Sequence, residues 1–119
     1  MVNKVYEISL LLDFYGQLLT DRQYEILDLH YNNDYTLSEI AEQLNISRQG
    51  VFDNEKRARA QLNEYEEKLG LVFKFSEQNI KVKNISKQLN EVSFEQLNEK
   101  DRKIISNVQK EIDELISSI

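Results

Sequence analysis

The chain has 119 residues, with 21 acidic against 15 basic side chains, 40% apolar and 30% charged residues, no proline and no cysteine. That is one domain, or a small head with an appendage, of mostly helical character, and it excludes a disordered or fibrous chain, disulfides and thiolate metal sites. No run approaches the ~18 apolar residues of a membrane span, and MVNKVYEISLLLDFYG is interrupted by Glu7 and Asp13 with no cleavage pattern after it, so a cytoplasmic protein is expected.

In chain order, residues 4–19 place Val5, Ile8, Leu12, Tyr15 and Leu19 at helical spacing, with Leu11, Phe14 and Leu18 widening the stripe. The pattern predicts a helix buried on most of its circumference. Thr20-Asp21-Arg22-Gln23 has the capping-box pattern and opens a second helix, on which Tyr24, Leu27 and Tyr31 share a face. Asn32-Asn33-Asp34 is turn chemistry. Thr36-Leu37-Ser38-Glu39 is another capping box, and its helix points Leu37, Ile40, Ala41 and Leu44 inward. Asn45 tolerates a left-handed turn, Ile46 plugs the angle, and Ser47 caps the helix that follows. A short helix, a three-residue turn and a second helix make a helix-turn-helix.

The helix from Arg48 is predicted to reach Leu69, about 33 Å at 1.5 Å per residue. Its inward line is Val51, Ala58, Leu62, Tyr65 and Leu69, and Gly70 is its natural C-cap. Glu55 falls on that line, so it must sit at an edge or find a cationic partner. Leu62, Tyr65 and Leu69 call for another surface, expected from residues 71–119. There, Phe75, Val82, Ile85, Leu89 and Val92 suit a helix, while the alternation of NIKVKNI also suits a strand, so residues 76–85 stay open between the two. Ser93-Phe94-Glu95-Gln96 has the capping-box pattern a third time. After it, Leu97, Ile104, Ile105, Val108, Ile112, Leu115, Ile116 and Ile119 form an amphipathic stripe. Its spacing fits a short coiled-coil seam between two copies, or a helix packed on the same chain. The expected organisation is therefore all-α: a head over 1–70 that includes the long helix 48–69, and a C-terminal helical arm over 71–119.

Nothing in the chain has a catalytic pattern. His30, the single histidine, lies in the apolar context DLHYN and reads as a helix-packing residue. No glycine-rich loop can cradle phosphate, and no carboxylate–histidine cluster has metal spacing. Glu66-Glu67 and Asp113-Glu114 read as solvated faces. No catalytic, cofactor-binding or metal-ligating residue is assigned, and function is expected to be binding.

The stretch LLTDRQYEILDLHYNNDYTLSEIAEQLNISRQGVF resembles the region-four helix-turn-helix of bacterial sigma factors. With LLDFYGQLLTDRQ at 11–23, DYTLSEIAEQLNISRQGVFDNEKR at 34–57 and NEYEEKLGL at 63–71, the first 70 or so residues are similar to the YlxM family of small bacterial helix-turn-helix proteins. That resemblance implies a regulatory, non-enzymatic protein linked to the signal recognition particle pathway. Two residues depart from the pattern: Glu55 stands where an apolar residue is expected, and Gly50 where alanine would fit, each weakening the start of the long helix.

The exposed face of that helix would carry Arg48, Gln49, Phe52, Asp53, Lys56 and Arg57, with Ser47 at its N-terminus. Such a face can hold phosphate through Ser47 and Arg48 and read bases through Gln49, Phe52 and Asp53, with Lys56 and Arg57 adding phosphate contacts. Charge argues otherwise. Residues 1–70 carry seven Lys/Arg against thirteen Asp/Glu, and residues 71–119 eight of each. An acidic head is steered toward basic protein surfaces of a ribonucleoprotein particle ahead of its RNA, and DNA binding is the alternative. A homodimer through the C-terminal helices is the remaining partner expectation.

Overall fold

The computed structural model describes residues 4–118. These form six α-helices: α1 (Lys4–Tyr15), α2 (Asp21–Leu27), α3 (Leu37–Leu44), α4 (Arg48–Leu69), α5 (Leu71–Asn90) and α6 (Glu99–Ser117). There is no strand among the described residues, and 76–85 lie inside α5. The chain divides into two compact units, one ending at Val72 and one starting at Phe73.

In the first unit, side chains fix where helices begin and end. Thr20 accepts from the Gln23 N–H while the Gln23 side chain accepts from the Thr20 N–H. Thr36 and Glu39 do the same for α3. Each box satisfies two N–H groups that the first turn leaves without a partner. The first helix is shorter than the apolar stripe suggests. It stops at Tyr15, a 3₁₀ turn covers Gly16–Leu18, and Leu18 faces solvent while Leu19 is buried. At Gly16 the backbone comes close to an aromatic ring: a Cβ there would lie 2.7 Å from Cε2 of Tyr24, so a side chain would have to push that ring aside. The second helix also ends early, widening into a π turn over Asp28–Asn32. The Asn32 amide donates to Asp28 Oδ1 at 2.8 Å and the Asn33 amide to the Asp28 carbonyl at 3.0 Å, which supports the wider turn. Tyr24, Leu27 and Tyr31 therefore do not share one face: Tyr24 is exposed, Leu27 is fully buried and Tyr31 is half-buried.

Two apolar clusters fill this unit. One gathers Ile8, Leu11, Leu12 and Tyr15 of α1 with Leu19, Leu27, Ala58 and Leu62. The other gathers Ile26, Ile40, Ala41 and Val51, with Leu44 and the turn residue Ile46 packed against it. Neighbours Ile26 and Leu27 go to different clusters, so α2 is the partition between them. The surface that covers Leu62 and Tyr65 is α1, where the Tyr15 and Tyr65 rings lie 5.9 Å apart. It is supplied by the N-terminal helix and not, as the sequence suggests, by the arm alone, and Leu69 is 56% exposed.

The second unit is organised differently. Ser93 makes no side-chain cap, and only a 3₁₀ turn, Phe94–Gln96, follows it. The last helix begins later, at Glu99, where the Asn98 side chain accepts from the Asp101 N–H at 2.8 Å. Leu97 is thus outside α6, and Ile119 lies outside the described residues. Gln109 of α6 donates to the Leu89 carbonyl and to Asn90 Oδ1 at the end of α5. None of the described residues in this unit is fully buried.

Candidate functional site

The turn between α3 and α4 is built as its residues require. Asn45 has φ 56°, ψ 47°, a left-handed conformation that a short polar side chain tolerates. The Ile46 N–H returns to the Ala41 carbonyl at 3.1 Å, closing the helix end. Ser47 Oγ then accepts from the Gly50 N–H at 2.9 Å and starts α4. Gly50 belongs to this cap. A Cβ at position 50 would sit 3.0 Å from Ser47 Oγ, crowding the capping hydroxyl, so glycine preserves the cap where alanine would press on it. Its propensity cost falls within the first turn and is offset there.

Ser47, Arg48, Gln49, Phe52, Asp53, Lys56 and Arg57 are all exposed, and the residues from Arg48 on lie along the outward side of α4. Phe52 leaves 48% of its surface in solvent. Two of these side chains are engaged with each other: Gln49 Nε2 donates to Asp53 Oδ1 at 3.0 Å across one helical turn. On the α3 side, Arg48 and Asn45 share a shallow depression with Glu39 and Glu42. Both carboxylates are exposed, beside the N-terminus of α4 where an anion would otherwise be favoured.

Beneath the face is a polar network that residue spacing foreshadowed only in part. Glu55 is 5% exposed and is the buried charged residue of the described chain. On α4 it falls between Val51, in one apolar cluster, and Ala58, in the other. Its Oε1 accepts from Arg59 Nε at 2.9 Å and from the Tyr31 hydroxyl at 2.6 Å. The expected cation is thus present, one turn along the same helix. Tyr31 could not be foreseen, because the π turn that aims it at Glu55 has no periodic signature. Burial, then the Glu55 hydrogen bond and charge, push the Tyr31 hydroxyl well above its ordinary pKa. The hydrogen bond to Glu55 raises Arg59 as well. The Tyr31 hydroxyl therefore stays a neutral phenol and Arg59 a guanidinium.

Glu66 corrects another reading. It is half-buried, not solvated, and its Oε1 accepts from the Tyr15 hydroxyl at 2.6 Å and from the Val72 N–H at 3.0 Å. The same Tyr15 oxygen accepts from the Leu71 N–H at 3.1 Å. A tyrosine of α1 and a glutamate of α4 together satisfy the first free N–H groups of α5, just past Gly70 with φ 62°. Burial and the Glu66 hydrogen bond raise the Tyr15 pKa. His30 is a packing residue with one polar link: its Nδ1 donates to the Tyr35 carbonyl at 2.7 Å while its ring meets Tyr31 edge-on. Among the described residues no helix is long and apolar enough to cross a membrane.

This geometry agrees with the comparisons to known proteins. Residues 2–112 match the family model described as "UPF0122: Putative helix-turn-helix protein, YlxM / p13 like". A UPF0122 protein of Acetivibrio thermocellus is 56% identical over 117 residues, covering 98% of this chain and all of the relative. One from Thermoanaerobacter sp. is 47% identical across 91% of this chain and 92% of its own length. Another, from Lacticaseibacillus casei, is 40% identical across 93% of each. The match runs through most of α6, beyond the helix-turn-helix, and the relatives are of similar length. This all-α chain belongs to the UPF0122 family of YlxM/p13-like helix-turn-helix proteins.

Proposed function

We propose that the chain is a regulatory protein of the signal recognition particle pathway that works by binding, and that the outward face of α4 docks a basic protein surface of the particle. Ser47, Arg48, Gln49, Phe52, Asp53, Lys56 and Arg57 form that face, and the C-terminal helices pair two copies. The pathway comes from the likeness to YlxM proteins. The choice of a protein partner rests on one observation: Glu39 and Glu42 line the depression that holds Arg48 at the α4 N-terminus. A phosphate entering there meets two carboxylates, whereas a lysine or arginine of a protein partner is welcomed by them. Exposed Phe52 amid mixed charge suits a protein interface. The Gln49–Asp53 bond also ties together two side chains that a base reader would need free.

A second reading is kept because the helix-turn-helix itself favours it: α4 enters the DNA major groove as a dimer, with Arg48 on phosphate. A salt series separates the two. The purified protein is titrated with the particle's GTPase, with its RNA and with duplex DNA. Binding to the GTPase that is abolished in the Glu42→Lys, Asp53→Lys variant and kept in the Arg48→Glu, Lys56→Glu variant is the expected result. DNA binding with a steep salt slope and no particle interaction overturns it in favour of the groove reader.

A further inference from the structure

The arm leaves an unusual amount of apolar surface uncovered. Ile104, Val108 and Leu115 of α6 are 50%, 37% and 55% exposed, and at 3.6 residues per turn they lie in one row. Beside that row runs the half-buried line Ile105, Ile112 and Ile116. The hydrogen bonds between α5 and α6 cluster at Leu89 and Asn90, opposite Gln109. So α6 turns one line toward its own chain and a second line outward. A helical unit of under 50 residues with no fully buried side chain among its described residues is below the size at which a core sustains itself, and oligomerisation is the usual remedy.

The charges along α6 select the occupant. Residues 99–107 carry Lys100, Arg102 and Lys103 against Glu99 and Asp101, whereas 108–118 carry Lys110 against Glu111, Asp113 and Glu114. One end is basic and the other acidic, a polarity complementary to itself when reversed. We infer that the exposed row of α6 binds the same row of a second copy in antiparallel orientation, about a two-fold axis between residues 109 and 110. The inference rests on the pairing of C-terminal helices proposed above and supplies its face and direction.

In that arrangement Ile104 of one copy meets Leu115 of the other, twice, and the Val108 side chains pack near the axis. Lys103 and Glu114 share one flank of the row, so each lysine lies within about a turn of the second copy's glutamate. Glu111, the polar member of the row, falls beside Asn107 of the second copy, whose amide can donate to it. In a parallel pair Lys103 of one copy and Glu114 of the other stand about 16 Å apart along the axis, at 1.5 Å per residue, and cannot meet, and the reversed pair also opposes the two helix dipoles. The contact is isologous and closes at two copies.

The chain has no cysteine, so orientation can be read by disulfides in the full-length protein. Light scattering is expected to give twice 14.1 kDa at micromolar concentration. The double variant Ile104→Cys, Leu115→Cys should cross-link into a dimer on oxidation, and each single variant should not. To guard against damage to the row, Lys103→Glu is expected to weaken the dimer about tenfold, with Glu114→Lys restoring it in the double variant. A monomer at these concentrations, cross-linking of either single variant, or Lys103→Glu without effect would overturn the assignment. Because no particle component or DNA is present, these outcomes are independent of what the α4 face binds, and Arg48→Glu should leave the mass unchanged.

Discussion

The two units have similar helical periodicity and opposite interiors. Up to Val72, α1, α2, α3 and α4 bury Leu12, Tyr15, Ile26, Leu27, Ile40, Val51 and Leu62 almost completely. From Phe73 onward, Ile80, Ile85, Ile104 and Leu115 remain exposed, on helices just as regular. An amphipathic pattern thus states that a helix has an apolar side, and says nothing of whether the chain itself covers it. In the first unit four helices close around two clusters; in the second, two helices meet over a short contact and leave a face available. Truncation of an apolar side chain should therefore hurt in one unit and not in the other. Leu62→Ala should cost about 2–5 kcal/mol in a urea melt followed by circular dichroism. Ile105→Ala, on the half-buried line of α6, should cost less than about 1 kcal/mol in the same transition. Equal losses would mean that the arm has a core of its own.

A slightly smaller effect concerns the polar joint between the two clusters. Arg59→Met leaves Glu55 buried without its cation, and breaking such a pair costs about 3 kcal/mol even though Arg59 itself keeps one edge in water. Tyr31→Phe removes one of two partners and should cost about 1–3 kcal/mol. The double variant should cost less than the sum of the two, since both act through one carboxylate. Additive losses would show that the network is three independent contacts.

The same joint has a pH signature. The Tyr31 hydroxyl titrates above its unfolded value of about 10, so the folded state holds the proton more tightly. Its contribution is therefore whole below pH 10 and is lost as pH rises through the folded value, because the unfolded chain ionises first. Tyr15, raised for the same reasons, adds to the alkaline loss. Stability measured from pH 8 to 12 should fall more steeply in the natural chain than in Tyr31→Phe. Parallel curves would remove Tyr31 from this account.

How much of this was legible in residues alone depended on how local the cause was. Caps at Thr20, Thr36 and Ser47, the left-handed Asn45, the span of α4 and its Gly70 terminus all follow from interactions within a few positions. The demand of Glu55 for a cation could be stated in advance, since a carboxylate on an inward line has few options. What fills the demand is split: Arg59 lies one turn away and is a local signal, whereas Tyr31 arrives through a π turn with no sequence period. Gly16 and Gly50 look like weak points in a propensity table. Each is explained only by a neighbour in space, the Tyr24 ring and the Ser47 hydroxyl. Glu66 looks solvated in the sequence because its neighbours there are charged, while its partners, Tyr15 and the N–H of Val72, come from elsewhere in the fold. The outward face of α4 was readable as a face; what it binds depends on charges contributed by α3, which no single-helix reading contains.

The two units differ even at the level of one hydroxyl. A Ser/Thr with Glu or Gln three positions on stands ahead of an apolar helical stripe at Thr20, Thr36 and Ser93, yet it closes only in the first unit. At Ser93 the N–H that the hydroxyl would take, that of Gln96, is already bonded to the Ser93 carbonyl at 3.2 Å in a 3₁₀ turn. The hydroxyl has nothing left to satisfy, and α6 starts instead at Asn98, whose side chain meets the free Asp101 N–H. Asn98→Ala should therefore cost about 1 kcal/mol of α6 helicity, read by amide exchange in the first turn, and Ser93→Ala close to none. Thr36→Ala should cost about 1 kcal/mol in the first unit. If Ser93→Ala were the more damaging of the two arm variants, the arm would hold a full box in solution, and its helix would begin a turn earlier, bringing Leu97 onto the same side as Ile104 and Val108.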